Sequence, residues 1–320
     1  MSSRSAGRAG QDDAIATDPP PSVKPLPRVD LKVGFACNNR CLFCAQGEKR
    51  SGCGALPFPE LLRRLAACPR PAGLVLTGGE PTLYTSLLAL VAAARRMGFS
   101  PIQLQTNGRL LSYRDRLAAL MAAGVEEVSP SLHGSRAALH DGLTRAPGSF
   151  DESVAGIANA VASGASVVTN SVVTRQNGAD LPSLVRLLAS LGVRRAQLAF
   201  VHPVGTAETH FDEVVPRLPD LVAPLRAARE VARAAGVTLV TEAMPLCFLR
   251  GMEELAVEEI IPRTTVVDLD GQAADYSSWR VAEGKAHGPP CECCTARTRC
   301  EGPWREYPDR FGWDEFVPLD

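Results

Sequence analysis

"RRMGFSPIQLQTNG", residues 95–108, holds the pattern whose repetition decides the fold. A basic helix end runs into Gly98, an apolar strand-like run follows, and the polar loop Thr106–Asn107–Gly108 closes the unit. Glycine takes the left-handed backbone that ends a helix at low cost. The same punctuation recurs at Gly124 in "MAAGVEEV", Gly164 in "VASGASVV", Gly192 in "LASLGVRRAQL" and Gly236 in "RAAGVTLV". Strand-like runs are "VDLKVGF", "GLVLT", "PIQLQT", "EEVSPSL", "SVVTNSVVT" and "AQLAF". Amphipathic stretches such as "LLALVAAARRM" and "LPSLVRLLASL" lie between them. Short continuous apolar runs are how buried parallel strands read. Right-handed βα units in series are therefore expected. The fold class is α/β: a partial (βα)6 TIM-like barrel. A doubly wound open sheet competes, because strand order is not written in one sequence.

The chemically unusual residues follow the strands. The cysteines come after "VGFA", "GGEP" after "LVLT", "TNG" after "IQLQ", "SLHG" after "EEVSP", "TRQN" after "NSVV" and "HPVG" after "QLAF". In a βα barrel such loops open on one face, where the chemistry is placed.

The chain has 320 residues with a formal charge of −1, which offers no polybasic signal for nucleic acid or anionic membrane. No run reaches the roughly 20 apolar residues of a spanning helix. Residues 1–28 lack the apolar core of a secretory signal and read as a disordered tail rich in Pro, Ser and Gly. Ten cysteines without such a signal point to a reducing, cytoplasmic setting, where clustered cysteines serve as metal ligands more often than as disulfides.

"CNNRCLFC", residues 37–44, places Cys37, Cys41 and Cys44 within eight residues. Three thiolates are one short of a closed tetrahedral site. A [4Fe–4S] cluster with three protein ligands would keep one iron open. Zinc is the alternative, with Cys53 as a possible fourth ligand. "GGEP" alone reads as a plain turn, but it closes a strand.

Cys37-x3-Cys41-x2-Cys44 after a first strand, with Phe43 before the third cysteine and "TGGEPTL" at residues 77–83, resembles the paired signatures of the radical S-adenosylmethionine (SAM) superfamily. The resemblance covers roughly residues 29–205. It implies that SAM chelates the open iron and that one electron from the cluster cleaves it. The resulting 5′-deoxyadenosyl radical would take a hydrogen atom from the substrate. It implies that Cys37, Cys41 and Cys44 ligate the cluster and that Phe43 packs on adenine. Gly78 and Gly79 would admit the methionine moiety, and Glu80 would hold its ammonium directly or through the adjacent backbone. Ser131, Asn170, Arg175 and Val201 would complete the SAM contacts. Ordinary strand-end polarity is the other reading of the last four. His133, His140 and His202 are candidates for proton transfer, with hydrogen-bonded loop histidines as the plainer alternative.

A second cluster of cysteines lies in "PPCECCTARTRCEG". Cys291-x2-Cys294-x5-Cys300, with Cys247 upstream, is similar to the SPASM and twitch extensions that hold auxiliary [4Fe–4S] clusters. Cys293 competes with Cys294, and a four-cysteine zinc site competes with iron–sulfur. Trp304 follows Cys300 and no cysteine comes after it, which implies one auxiliary cluster. Cys68 reads as a buried small hydrophobe, and "GPWREYPDRFGWDEF" as a packing segment or a cap over the site. Expected divisions are a tail at 1–28, the barrel at 29–205, a helix–strand extension at 206–245 and a small auxiliary-cluster domain at 246–320.

The expected function is hydrogen abstraction from a small-molecule, nucleoside or peptide substrate, served by an electron donor such as flavodoxin or ferredoxin. The stretch before Val29 is too short for a peptide-recognition domain, which favours a small molecule over the alternative of a ribosomal-peptide maturase. A non-catalytic zinc scaffold is the reading from another class. A SAM-dependent radical methyltransferase ranks below these, with no cobalamin-type domain evident.

Overall fold

The computed structural model describes residues 25–47, 49, 54–269 and 273–320. The tail expected at 1–28 falls almost wholly outside these residues, as does Cys53.

The first six strands lie where the apolar runs put them: β1 (Arg28–Lys32), β2 (Gly73–Thr77), β3 (Ile102–Thr106), β4 (Glu127–Pro130), β5 (Ser166–Val173) and β6 (Arg195–Phe200). Helices α1 (Phe58–Ala67), α2 (Leu87–Arg96) and α3 (Arg114–Ala123) cross between the first four. Then come α4 (Ala137–Thr144) and α5 (Ser149–Ala162) before β5, and α6 (Leu181–Ser190) before β6. In α6, Leu181, Leu184, Val185 and Leu188 are buried, the spacing of one helix face. All five punctuating glycines have positive φ, from 65° at Gly236 to 124° at Gly124.

Beyond β6 come the short α7 (Thr206–Thr209) and α8 (Phe211–Val214), the long α9 (Leu218–Ala235) and β7 (Thr238–Glu242). The sheet order is β7-β6-β5-β4-β3-β2-β1-β8-β9, where β8 is Thr264–Val267 and β9 is Ala273–Asp275. Strands β1 to β8 are parallel, and β9 runs antiparallel to β8. From β1 to β7 the order is sequential with no reversal, which removes the doubly wound alternative. β7 and β9 are the two edges, and no ladder among the described residues joins them: the barrel is open along one seam.

The boundary drawn at residue 246 does not separate a domain from the sheet. β8 lies beyond it in sequence yet pairs with β1 over Arg28–Leu31. Its four residues, "TTVV", sit among turn-forming neighbours and offer too short an apolar run to stand out. The short helices α10 (Tyr276–Trp279) and α11 (Glu306–Phe311) follow. The aromatic segment packs: Tyr307 is fully buried, Trp304 and Phe316 nearly so, and all three join the core around β5–β7 and α9.

Along β1, β3, β5, β6 and β7, fully buried residues alternate with partly exposed ones. Alternate residues of a strand face opposite sides of the sheet. The partly exposed set includes Asp30, Lys32, Gln103, Gln105, Asn170, Gln197 and Glu242. A closed βα barrel fills its interior with branched apolar side chains; this open one presents polar side chains instead.

Candidate functional site

The cysteine loop leaves the C-terminal end of β1 and is gripped by four other loops. From α4, the carbonyls of Thr144 and Leu143 accept from the N–H groups of Arg40 (2.8 Å) and Leu42 (3.0 Å). From the β2 loop, Gly79 N–H donates to Gly34 O and Glu80 N–H to Ala36 O, both at 2.8 Å. From the β6 loop, Thr206 N–H donates to Cys44 O at 3.0 Å. From the β3 loop, Asn107 Nδ2 donates to Asn38 Oδ1 at 2.6 Å and Arg109 reaches the Asn38 carbonyl, also at 2.6 Å. A segment with little regular structure of its own is thereby held in one shape, and it carries Cys37, Cys41 and Cys44.

The glycines of "GGEP" have a nearer reason to be glycine than a ligand. A Cβ on Gly78 would lie 2.2 Å from Gly34 O, and one on Gly79 2.3 Å from Ala36 O. The β2 loop is pressed against the backbone that leads into the cysteines. Glu80 is buried, and its carboxylate is used within the protein. Oε1 accepts from Thr82 N (3.0 Å), Thr82 Oγ1 (2.5 Å) and Thr106 Oγ1 (2.6 Å); Oε2 accepts from Asn107 N at 2.7 Å. Burial raises its pKa against these bonds. Its side chain therefore ties the β2 loop to the β3 loop.

Phe43 is buried, and its ring meets His133 edge-on at 4.7 Å, so its side chain packs under the loop. His133 Nδ1 accepts from Val172 N at 3.2 Å, and His140 Nδ1 accepts from His133 N at 3.0 Å. Burial holds His133 well below the ordinary histidine range and His140 down to about 4. Both are neutral acceptors that fix the β4 loop, as the plainer reading had it. Asn177, whose Nδ2 donates to the His133 carbonyl at 2.9 Å, belongs to the same network.

Ser131 and Asn170 are brought side by side by a parallel bridge between the residue that follows β4 and the middle of β5. Asn170 Oδ1 is buried without a hydrogen-bond partner, an acceptor left for a ligand or water. Val201 is fully buried in the core, and Arg175 is exposed, with its guanidinium on the Val215 carbonyl at 3.2 Å. Neither is joined to the cysteine loop by these contacts.

The remote cysteines do converge. Cys247, Cys291, Cys294 and Cys300 line one largely apolar cavity, with Leu246 and Phe316 among its walls. Burial, then the neighbouring Cys300, Cys291 and Cys294, push the Cys247 thiol up to about 12. Cys300 Sγ accepts from Leu246 N and Gly302 N, each at 3.4 Å, and Cys294 Sγ from Leu319 N at 3.4 Å. Cys293 is exposed, turned to the Pro290 carbonyl, and absent from the lining. Among the described residues, no three His, Cys, Asp or Glu side chains close tightly enough for a single metal ion. Four thiols around one cavity are a ligand set that an iron–sulfur cluster or a zinc ion takes.

The family model described as the radical SAM superfamily matches residues 31–188, from β1 into α6. Residues 31–188 form a domain of the radical SAM superfamily. Among its curated relatives, the probable GTP 3′,8-cyclase of Saccharolobus solfataricus is 33% identical over 196 residues, 59% of this chain and 62% of that protein. The probable GTP 3′,8-cyclase of Methanopyrus kandleri is 35% identical over 181 residues, 56% and 57% of the two chains. The match thus spans less than two thirds of those relatives' length. By fold, this radical SAM protein resembles Streptococcus suis SuiB bound to S-adenosylmethionine, with TM-score 0.62 and 16% identity over 93% of this chain and 76% of that one. It also resembles native anSMEcpe with bound AdoMet, with TM-score 0.63 and 16% identity over 92% and 93%.

A radical SAM domain implies a [4Fe–4S] cluster and SAM. The residues present fit them. Three thiols share one braced loop, soft donors of the kind iron–sulfur clusters take. A buried acceptor, Asn170 Oδ1, stands unpartnered in the middle of β5, beside Ser131. Sequence reasoning missed the brace itself: Asn38, Asn39, Asn107 and Arg109. The polar pair inside "CNNRC" and the arginine directly after "TNG" were the available signal.

Proposed function

We propose that this chain is an enzyme that uses SAM and a [4Fe–4S] cluster at Cys37, Cys41 and Cys44 to take a hydrogen atom from a polar substrate. A second, auxiliary [4Fe–4S] cluster is held by Cys247, Cys291, Cys294 and Cys300. The observation that carries the reading is the three-thiol loop clamped by the β2, β3, α4 and β6 loops at the strand ends of an open βα barrel. When bound, the cluster and SAM supply one-electron chemistry that yields a radical able to attack an unactivated C–H bond.

The protein's own residues set the stage for this. The Gly78–Gly79 turn and the Glu80 carboxylate lock the β2 and β3 loops to the cysteine loop. Asn170 offers an acceptor to a bound hydroxyl or amine. Four backbone N–H groups donate to the sulfurs of Cys37, Cys294 and Cys300 and fix where those sulfurs point. Electrons come from an external donor of the flavodoxin or ferredoxin kind.

The polar side of the sheet bears on the substrate. Its carboxylates Asp30, Glu127, Glu242 and Glu301 are each within ion-pair distance of Lys32, Arg195 or Arg280. Such a surface of paired opposite charges suits a polar substrate. A small polar molecule, a nucleotide or a peptide meets that description: the relatives' names point to a nucleotide, and SuiB has been solved with its precursor peptide SuiA.

Anaerobic reconstitution with iron and sulfide should give brown protein that bleaches with dithionite and forms 5′-deoxyadenosine from SAM. Cys41→Ala should abolish that product. Colourless, zinc-bearing protein, or full activity in the variant, would overturn the reading. Product formation raised above its uncoupled level by added GTP would assign the nucleotide; no response to GTP would leave the small polar molecule or the peptide.

A further inference from the structure

We propose that Arg109 is a positioning residue for the cluster at Cys37, Cys41 and Cys44, acting through the hydrogen bond that Asn39 gives to the Cys37 sulfur. The proposal rests on the functional reading above and adds a residue that its signatures do not contain.

The geometry runs through a single peptide group. Arg109 Nη1 donates to the Asn38 carbonyl at 2.6 Å and to Asn39 Oδ1 at 3.0 Å. The N–H of that same Asn38–Asn39 peptide donates to Cys37 Sγ at 3.4 Å. A trans peptide is planar, with its C=O and N–H pointing in opposite directions. Pinning the carbonyl therefore aims the N–H. Without the guanidinium, the peptide between Cys37 and Cys41 could rotate and withdraw its bond from the sulfur.

The arginine is itself fixed from behind. Its Nε donates to Glu152 Oε2, on α5, at 2.5 Å. Asn107, two residues before it, holds the Asn38 side chain at 2.6 Å and takes its own N–H to Glu80. Asn39 is buried, so its Oδ1 is shielded from competing water. The guanidinium's planar fork serves the loop through Nη1 and Glu152 through Nε at once. A lysine, with one ammonium at the end of a flexible stem, cannot reproduce that arrangement.

Hydrogen bonds to the sulfurs and nearby charge set the potential of an iron–sulfur cluster. Groups that orient metal ligands change affinity by roughly 10- to 100-fold when removed. Arg109 supplies both the orientation and a positive charge. Its loss should make the cluster harder to reduce and easier to strip.

The test uses the full chain, reconstituted anaerobically, as wild type, Arg109→Gln, Arg109→Lys and Glu152→Gln. The SAM-responsive part of the electron paramagnetic resonance signal reports the three-cysteine site. Its midpoint potential and the rate of iron loss to EDTA are the readouts. Arg109→Gln should move the midpoint to more negative values and speed iron loss about tenfold. Arg109→Lys should recover part of the potential, because the charge returns, but leave the faster loss, because the fork does not. Glu152→Gln should also speed iron loss, because Arg109 loses its charged anchor, while removal of a negative charge moves the midpoint the other way, to more positive values; iron loss from this variant keeps the test open if Arg109→Gln fails to fold. A folded Arg109→Gln protein with wild-type potential and wild-type iron loss, or failing that a Glu152→Gln protein with wild-type iron loss, overturns the proposal alone. A wild-type chain that takes up no SAM-responsive cluster overturns the functional reading and the proposal with it.

Discussion

A Cβ at position 79 would come within 2.6 Å of three backbone atoms of Phe35 and Ala36, none of which can move without moving the cysteine loop. Gly79→Ala should therefore cost about 3 kcal/mol in stability, at the upper end of overpacking penalties, and lower the iron bound at the nearby loop. Chemical denaturation and iron analysis check both. His140 gives a pH-dependent counterpart. Burial brings its folded pKa to about 4, below the 6.5 of the free side chain. As pH falls from 6.5 the unfolded chain takes up the proton first, so stability is lost progressively down to about pH 4. The full loss from this residue is about 3 kcal/mol. His140→Asn, which keeps an acceptor near His133 N–H but does not titrate, should flatten denaturation midpoints across that window. At this scale the sequence was informative about which residues matter and less so about why. The cysteines announce themselves by spacing. That Gly78, Gly79 and Glu80 serve loop-to-loop contacts could not be read, because the partner backbone lies more than forty residues earlier in the chain.

Among elements, the strands and their glycine-terminated helices were legible because each carries its own local signal: an apolar run, a 3.6-residue stripe, a left-handed stop. β8 was not, because its four residues form a strand only by docking on β1. The segment Pro289–Cys293 shows the same limit in a shorter span. Adjacent cysteines at 293 and 294 are equivalent as text. The single turn ending at Cys293 directs one thiol outward and leaves the next facing the cavity. Cys294→Ala should therefore lower total iron from about eight to about four per chain, whereas Cys293→Ala should leave it unchanged. Iron and sulfide analysis of the two variants separates them.

Over the whole molecule, the open seam between β7 and β9 is bridged by side chains instead of a ladder. Arg280 is 5% exposed and spans from Glu301, at 2.5 Å, to Glu242 on β7, at 3.5 Å. Replacing it with methionine leaves two carboxylates facing each other without their cation. Removal of one member of a buried charged group typically costs 3–5 kcal/mol; about 3 kcal/mol is expected here, because Glu242 is itself 28% exposed. Arg280→Met should also speed hydrogen exchange around α10 and β9 well before the barrel strands respond. Nothing in the sequence marks this residue, since its partners come from β7 and from the turn after Cys300.

The pairing of β8 with β1 also dictates an order of events during synthesis. β1 leaves the ribosome well before β8, with the cysteine loop directly behind it. Its outer edge finds a partner only when residues 264–267 emerge, more than two hundred residues later. Until then a nascent chain presents an unpaired strand edge beside three thiols, the kind of surface that recruits wrong partners. Delivery of iron and sulfide is thus best timed after the chain has left the tunnel. A ribosome stalled between β7 and β8 would hold a barrel complete in every loop that grips the cysteines, yet still unsealed along the strand that carries them.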